Sequence, residues 1–297
     1  MISIVITAYK EPMLYRAIEA VLLQKIDDDY ELIVAAPDKE TEDMVNEYKK
    51  HYKNIRYFKD PGKGKSYALN MIFKELKGDI WLFTDGDVFL DNKAINETCR
   101  MLKNYPRIGC VAGRVFCENS RDTLFGYWGK LLADNGAHKI RKEHYSKGKF
   151  LECSGYLFAF RNNGIIKEIP LDVAEDSIIP YYFWKAGYKI GYAENARVFV
   201  KNPTTIKDWL KQRKRTADAH TKLTKYAPDF PKVKSFKNEA VKGIFWIWSY
   251  PKNAKEYAWT FELVFVRLYM WLSLYYDLHF KKKQYGDGWE RSETSKI

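Results

Sequence analysis

The feature that most constrains this chain is a regular alternation, over its first 116 residues, of short apolar runs with stretches of helical periodicity. Residues 2–7, 31–36, 55–58, 79–84 and 109–116 read as strands, the first of them a buried one. Helical signatures lie between them. Pro12 suits a helix start, and Leu14, Ile18, Val21 and Leu22 follow at helical spacing; residues 41–52, 65–76 and 93–103 follow the same logic. Strands joined through helices of this length require right-handed crossovers and a mainly parallel sheet. The fold class is therefore α/β.

Beyond residue 117 the pattern is more broken. Residues 124–135 read as a helix, 150–160 as a strand, 177–185 as a helix, 189–193 and 197–200 as short strands, and 204–226 as a strongly basic helix. No internal repeat and no Gly/Ser/Pro linker interrupts this part, so residues 1–220 are expected to form one domain. Residues 221–297 then form a basic, aromatic-rich helical extension. Its apolar runs are 244–248 and 257–280. The second is interrupted by Glu262, Arg267 and Asp277, and its longest uncharged run, 268–276, falls well below the roughly 20 residues that a spanning helix needs. With Trp and Tyr abundant and Lys281, Lys282 and Lys283 at its end, it reads either as an interfacial helix or as one docked on the preceding domain.

Charge narrows the partners. The chain carries a formal +12, and residues 201–260 hold 14 basic against 5 acidic side chains. Such a concentration points to an anionic partner (nucleic acid, a phosphorylated substrate or a membrane surface) or to a solvated basic face. Hydrophobic residues at 46% and charged residues at 30% exclude a disordered or low-complexity chain. Cys99, Cys110, Cys117 and Cys153 show no CxxC or zinc spacing, so a reducing cytoplasm is expected. The first residues lack the basic segment and cleavage site of a signal peptide.

Four clusters could carry chemistry. Asp85-Gly86-Asp87 follows the apolar run 80–84, at the strand end where α/β folds gather ligands. Two carboxylates there can hold Mg2+ or Mn2+ through hard oxygens, although Asp-Gly is also an ordinary turn. Gly62-Lys63-Gly64-Lys65-Ser66 fails the GxxxxGK[ST] test, since Lys59 stands where the first glycine belongs, and Tyr67 breaks GxGxxG. What remains is a basic loop entering a helix N-terminus, suited to an anion or simply solvated. Glu175-Asp176 leads a helix, either as acids favoured by the helix dipole or with one of them as a general base. Gln212 and Arg215 lie three apart on the basic helix and share a face, and Arg matches phosphate oxygens with its planar fork.

In this order the clusters resemble the family 2 glycosyltransferases, inverting enzymes of the GT-A fold, over roughly residues 1–220. The opening Ser3–Pro12 segment, with Thr7, Ala8, Tyr9 and Glu11, is similar to the family's first strand and donor-binding turn. Gly64-Lys65 with Ala68-Leu69-Asn70 resembles its GK-x-x-ALN helix start, and Asp85-Gly86-Asp87 its DxD metal motif. Ser154-Gly155 before Phe158-Ala159-Phe160-Arg161 is similar to its acceptor-side strand, and Glu175-Asp176 to the ED motif whose Asp is the base. Gln212-Arg213-Lys214-Arg215-Thr216 resembles the QxxRW motif of the cellulose and hyaluronan synthase branch, with Thr216 in place of Trp, which argues against processive polymerisation. Asp38 alone stands for the family's Asp-Asp-x-Ser.

The resemblance implies a GT-A domain that moves a sugar with inversion from a nucleoside diphosphate donor, UDP- or GDP-linked, to a glycan hydroxyl or lipid-linked acceptor. Asp176 is then the base, with Ser154, Gly155 and Glu175 on the acceptor side. Asp85 and Asp87 hold Mn2+ or Mg2+, and Thr7, Ala8, Tyr9, Glu11, Asp38, Lys65, Asp85, Gln212 and Arg215 line the donor. The implied location is cytoplasmic, peripheral on an anionic membrane face, with no nucleic acid. Two alternatives are weighed against it. A sugar-1-phosphate nucleotidyltransferase needs a Gly-rich loop after the first strand, where this chain has Ala8-Tyr9-Lys10-Glu11-Pro12. A non-catalytic basic nucleic-acid or membrane binder would use residues 201–260 and bind with strong salt dependence.

Overall fold

The structure is a computed structural model and describes residues 1–231 and 247–281. Its centre is an eight-stranded sheet in the order β3-β2-β1-β4-β7-β6-β8-β5. The strands are β1 (Ile2–Thr7), β2 (Tyr30–Ala36), β3 (Ile55–Lys59), β4 (Ile80–Asp85), β5 (Val88–Leu90), β6 (Ile108–Cys117), β7 (Phe158–Arg161) and β8 (Lys189–Val200). The β3-β2-β1-β4 half is parallel throughout, joined by α1 (Leu14–Leu22), α2 (Lys39–Lys49) and α3 (Lys65–Ile72). β7 enters antiparallel between β4 and β6, and β5 antiparallel beyond β8, so the other half is mixed.

Alternation along the strands splits the core between the two faces. Ile2, Ile4 and Ile6 of β1 face α1, α2 and α4 (Ala94–Asn104). Val5 and Phe83 face α3 and α7 (Glu175–Lys185). On that second side rings close up: Phe73 stacks on Trp81 at 5.4 Å, Phe83 on Phe158 and Phe160 at 5.4 Å each, and Phe160 meets Phe183 at 5.7 Å.

Several sequence expectations change here. The apolar run 150–160 is a strand only over β7. Upstream of it the Cys153 N–H donates to the Asp176 carbonyl and the Leu157 N–H to the Ser154 carbonyl, so the backbone is committed to shaping a turn. The two strands expected at 189–193 and 197–200 are one strand. Its register jumps from Gly113↔Ala193 to Arg114↔Arg197, which loops residues 194–196 out as a bulge. The helix expected to end at 135 continues, as α5 (Leu124–Leu131), a π-helical segment Leu132–His138, and α6 (Lys139–Ser146). The helix expected from 177 starts two residues earlier, which puts both acids of Glu175-Asp176 inside its first turn.

α8 (Ile206–Tyr226) runs across the boundary expected at 220. The last described helix, α9 (Ala254–His279), packs against α5 and α8 over Tyr127, Trp128, Leu131, Trp209 and Leu263. Residues 244–246 of the first aromatic run, and Lys282 and Lys283, lie outside the described residues.

Candidate active site

Strand register builds the first part of the site. Thr7, at the end of β1, is the partner of Asp85 at the end of β4, and its hydroxyl donates to Asp85 Oδ1 at 2.9 Å. The next residue has to be glycine. A Cβ on Gly86 would lie 2.9 Å from Ala8 Cβ and 3.0 Å from Leu14 Cδ1, while its N–H is tied to the Thr7 carbonyl at 2.8 Å. The Asp-Gly-Asp turn is thereby pressed against the β1–α1 junction, with Asp87 between β4 and β5.

Lys65 opens α3 and reaches the same point. Its Nζ lies 2.7 Å from Asp85 Oδ1 and 2.6 Å from Glu175 Oε1. Burial alone would lower the Lys65 pKa, but the Asp85 and Glu175 charges outweigh it and hold the ammonium well above its ordinary value. Glu175 moves the opposite way from most paired acids. Burial raises its pKa; Lys65 pulls it down, but the charges of Asp176 and Asp85 add to the rise.

Asp176, one residue on, faces elsewhere. Its Oδ2 accepts the Gly155 N–H at 3.0 Å, and Ser177 Oγ lies 3.4 Å from Oδ1. Gly155 is where the two sides meet. A Cβ there would fall 3.1 Å from Glu175 Oε1, 3.6 Å from Lys65 Nζ and 4.0 Å from Asp85 Oδ2, so glycine leaves open the space beside all three. The two acids of α7 thus divide between the strand-end cluster and the turn 153–157, and Glu175, expected on the acceptor side with Ser154 and Gly155, is instead drawn by Lys65 to the strand end.

The remaining expected residues spread outward. Asp38 is buried and caps α2: Oδ1 accepts from the Thr41 N–H and hydroxyl, and Oδ2 from the Lys10 N–H. Burial would raise its pKa, but these donors, that of Lys10 foremost, hold it below the ordinary carboxylate value. Lys10 itself turns through φ 45, so Asp38 pins the turn that carries Tyr9 and Glu11. Glu11 is buried and accepts the Met13 N–H at 3.2 Å, and Ala8 is buried, with its N–H on the Ala35 carbonyl. Gln212 is half-buried and Arg215 exposed on α8.

Tyr156 is a residue the motifs missed. Its hydroxyl is pushed up to about 12 by burial and by the charges of Asp87 and Asp85, opposed by Arg213 and Arg215. The charges of the α8 arginines and of the Asp-Gly-Asp turn thus both act on this hydroxyl. Glu152 was missed too: its Oε2 accepts from Ser177 Oγ at 2.8 Å and lies 3.4 Å from His220 Nε2 of α8. The available signal was an acid inside the apolar run Phe150-Leu151-Glu152-Cys153, because a fully buried carboxylate is rare unless it is paired.

A divalent cation suits the strand-end cluster. Asp85 is fixed there by Thr7 and Lys65, its Oδ2 borders the space that Gly155 leaves, and carboxylate oxygens are hard ligands. Among the described residues no group of three or more His, Cys, Asp or Glu could hold a metal. An ion such as Mg2+ is commonly held by one or two carboxylates and completed by substrate phosphates and water.

Comparison with known proteins identifies the family and the fold. The family described as Glycosyltransferase like family 2 matches residues 1–219. Among curated proteins, the probable glycosyltransferase YdaM of Bacillus subtilis is 27% identical over 290 residues, covering 94% of this chain and 67% of that protein. The hyaluronan synthase of Streptococcus pyogenes is 24% identical over 164 residues, 52% of this chain, and the match spans only 39% of the synthase. Among solved structures, the mannosyltransferase PcManGT from Pyrobaculum calidifontis, in complex with GDP-Man and Mn2+, superposes with a TM-score of 0.65 at 15% identity, covering 95% of this chain and 88% of that one. This likeness places the sheet and its helices in the GT-A fold.

Proposed function

This chain belongs to the glycosyltransferase like family 2 and is a glycosyltransferase, and we propose that it transfers a sugar with inversion from a UDP- or GDP-linked donor to a glycan hydroxyl or a lipid-linked acceptor. The observation that carries this reading is the division of labour at α7. Glu175 joins Lys65 and Asp85 at the strand end, while Asp176 turns to the Gly155 side of the same space. A single displacement needs those two sides, one for the leaving diphosphate and one for the attacking hydroxyl. Asp176 is the base: its carboxylate takes the proton as the acceptor oxygen bonds to the anomeric carbon and the bond to the diphosphate breaks.

Thr7, Ala8, Tyr9, Glu11 and Asp38 form the nucleoside side, and Lys65, Gln212 and Arg215 present positive or polar groups to the phosphates. Asp85 and Asp87 would hold Mn2+ or Mg2+, which supplies charge stabilisation for the departing diphosphate. The structural neighbour's GDP-mannose and Mn2+ support trying GDP-mannose first. Ser154 and Gly155 line the acceptor side. We place the protein on the cytoplasmic side, peripheral to the membrane; among the described residues no helix is long and apolar enough to cross one.

A panel of UDP- and GDP-sugars in a thermal-shift assay tests the donor and the metal together, since a ligand that binds only the folded state raises the melting temperature. One donor should raise it with Mn2+ and much less with EDTA, and Asp87→Ala should erase the difference. Equal shifts with and without metal would remove Asp85 and Asp87 from their role. The anomeric configuration of the product, read by NMR, decides inversion against retention.

A further inference from the structure

α9 is built inside out for a helix in water. The stripe it turns to the protein contains Glu256, Thr260, Arg267 and Asp277 along with Leu263, Met270 and Leu274. Much of its attachment is polar. Arg121 grips Glu256 with two bonds of 2.7 and 2.8 Å, Tyr127 and Thr260 share a 2.6 Å hydroxyl contact, and Lys214 meets Asp277 at 2.8 Å. The opposite face carries Phe261, Phe265, Leu268, Tyr269, Leu272 and Tyr276, all exposed, with Phe265 at 55% and Leu272 at 61%. At 100° per residue these fall on one side, and the only charged side chain among them, Glu262, sits at its edge. From Phe261 to Tyr276 this face runs along the helix for about 22 Å, beyond the singly scattered exposed apolar residues of an ordinary surface.

Cations bracket the face. Exposed Lys252 and Lys255 lie at its start and Lys281 at its end; Lys255 covers the Trp259 ring at 4.4 Å and Lys281 the Tyr276 ring at 5.4 Å. An apolar, Tyr- and Phe-rich stripe ended by lysines has the charge pattern of a helix that lies in the plane of an anionic bilayer surface, rings at the acyl boundary and ammonium groups among the headgroups. A second copy of this chain would bring the same lysines and a net +12 against each other.

We propose that the outer face of α9 is a membrane-docking surface for anionic lipid, held to the protein by the Arg121–Glu256 and Lys214–Asp277 ion pairs. The proposal deepens the peripheral membrane placement given above and rests on it, while standing independently of the transfer reaction. Full-length protein is sedimented with vesicles of phosphatidylcholine alone and of phosphatidylcholine containing about one third phosphatidylglycerol. Binding to the anionic vesicles at low salt should exceed binding to neutral ones by about tenfold or more, and weaken as salt rises. Phe265→Glu with Leu272→Glu should cut it by about tenfold or more with the melting curve unchanged. Should that pair unfold the protein, Phe265→Ser with Leu272→Ser gives the reading instead. No binding to anionic vesicles at low salt, or equal binding by the variants, overturns the proposal. So does a dimer in sedimentation velocity that the same variants abolish, because the face then belongs to a second copy.

Discussion

Two glutamates at the starts of two helices, Glu175 on α7 and Glu256 on α9, are both buried and both paired with a cation, yet their acidities move in opposite directions. Glu256 is held below its ordinary value of 4.5, first by its hydrogen bonds to Arg121. Glu175 is raised, first by burial and then by Asp176 and Asp85, against the pull of Lys65. The difference is one of charge balance. Under α9 each acid has its own cation, and Asp277 has both Lys214 and Lys281. At the strand end Lys65 serves Asp85 and Glu175 together, with Asp176 adjoining. Balanced pairs fasten one element to another. A surplus of acids around one lysine is maintained by the fold, at some expense in stability, and accommodates further positive charge.

The largest expected effect tests that imbalance. Lys65→Met leaves two carboxylates facing each other and should lower unfolding stability by about 3 kcal/mol in urea titration. Adding Glu175→Gln should recover a large part of it, a coupling that a double-mutant cycle reads directly. Next is Asp176→Asn, which should reduce transfer about 100-fold, or about 2.7 kcal/mol of barrier. Donor binding and melting temperature should stay near wild type. Substantial transfer by that variant, in an assay where Asp87→Ala is dead, would move the base elsewhere.

Smaller effects belong to α9. Arg121→Met should cost about 1.5 kcal/mol of stability with turnover on a soluble acceptor unchanged, because that pair fastens rather than reacts. Losses as large as those at Lys65 would erase the contrast between the two regions. The smallest effect is in the pH profile. A carboxylate with a depressed folded-state pKa stabilises fully above its unfolded value of 4.5, and that contribution disappears as pH falls through the depressed value. The stability gap between wild type and Glu256→Gln, under about 1 kcal/mol at neutral pH, should therefore close only below 4.5.

The parallel half of the sheet was legible because runs such as Ile2–Thr7 must be buried wherever they sit, and burial of both faces permits one kind of strand. Its strand-end acids were legible for the same reason, since Asp85 is the first charge after the run that precedes it. Legibility failed where partners decide. Val88–Leu90 is too short to announce itself and exists as β5 only because β8 offers it an edge. Phe150 to Leu157 has strand composition, but its amides are claimed by Asp176 and Ser154. Residues 194–196 bulge out because β6 shifts register at Gly113. Nor can composition tell which side of α9 faces out, since apolar residues lie on both; Arg121 and Lys214, distant in sequence, take the side that carries Glu256 and Asp277.

The rings beneath the site set a clock. Phe83 lies two residues before Asp85, Phe183 lies on the helix that carries Asp176, and Phe160 touches both. All three are completely or almost completely buried. A phenylalanine ring so enclosed can turn over only when its neighbours briefly part, so the flip frequency measures how often the strand-end acids and α7 separate. Line shapes of ring-labelled Phe160 in NMR would count those separations, and slower flipping with donor bound would date the tightening of the floor on the microsecond-to-millisecond scale.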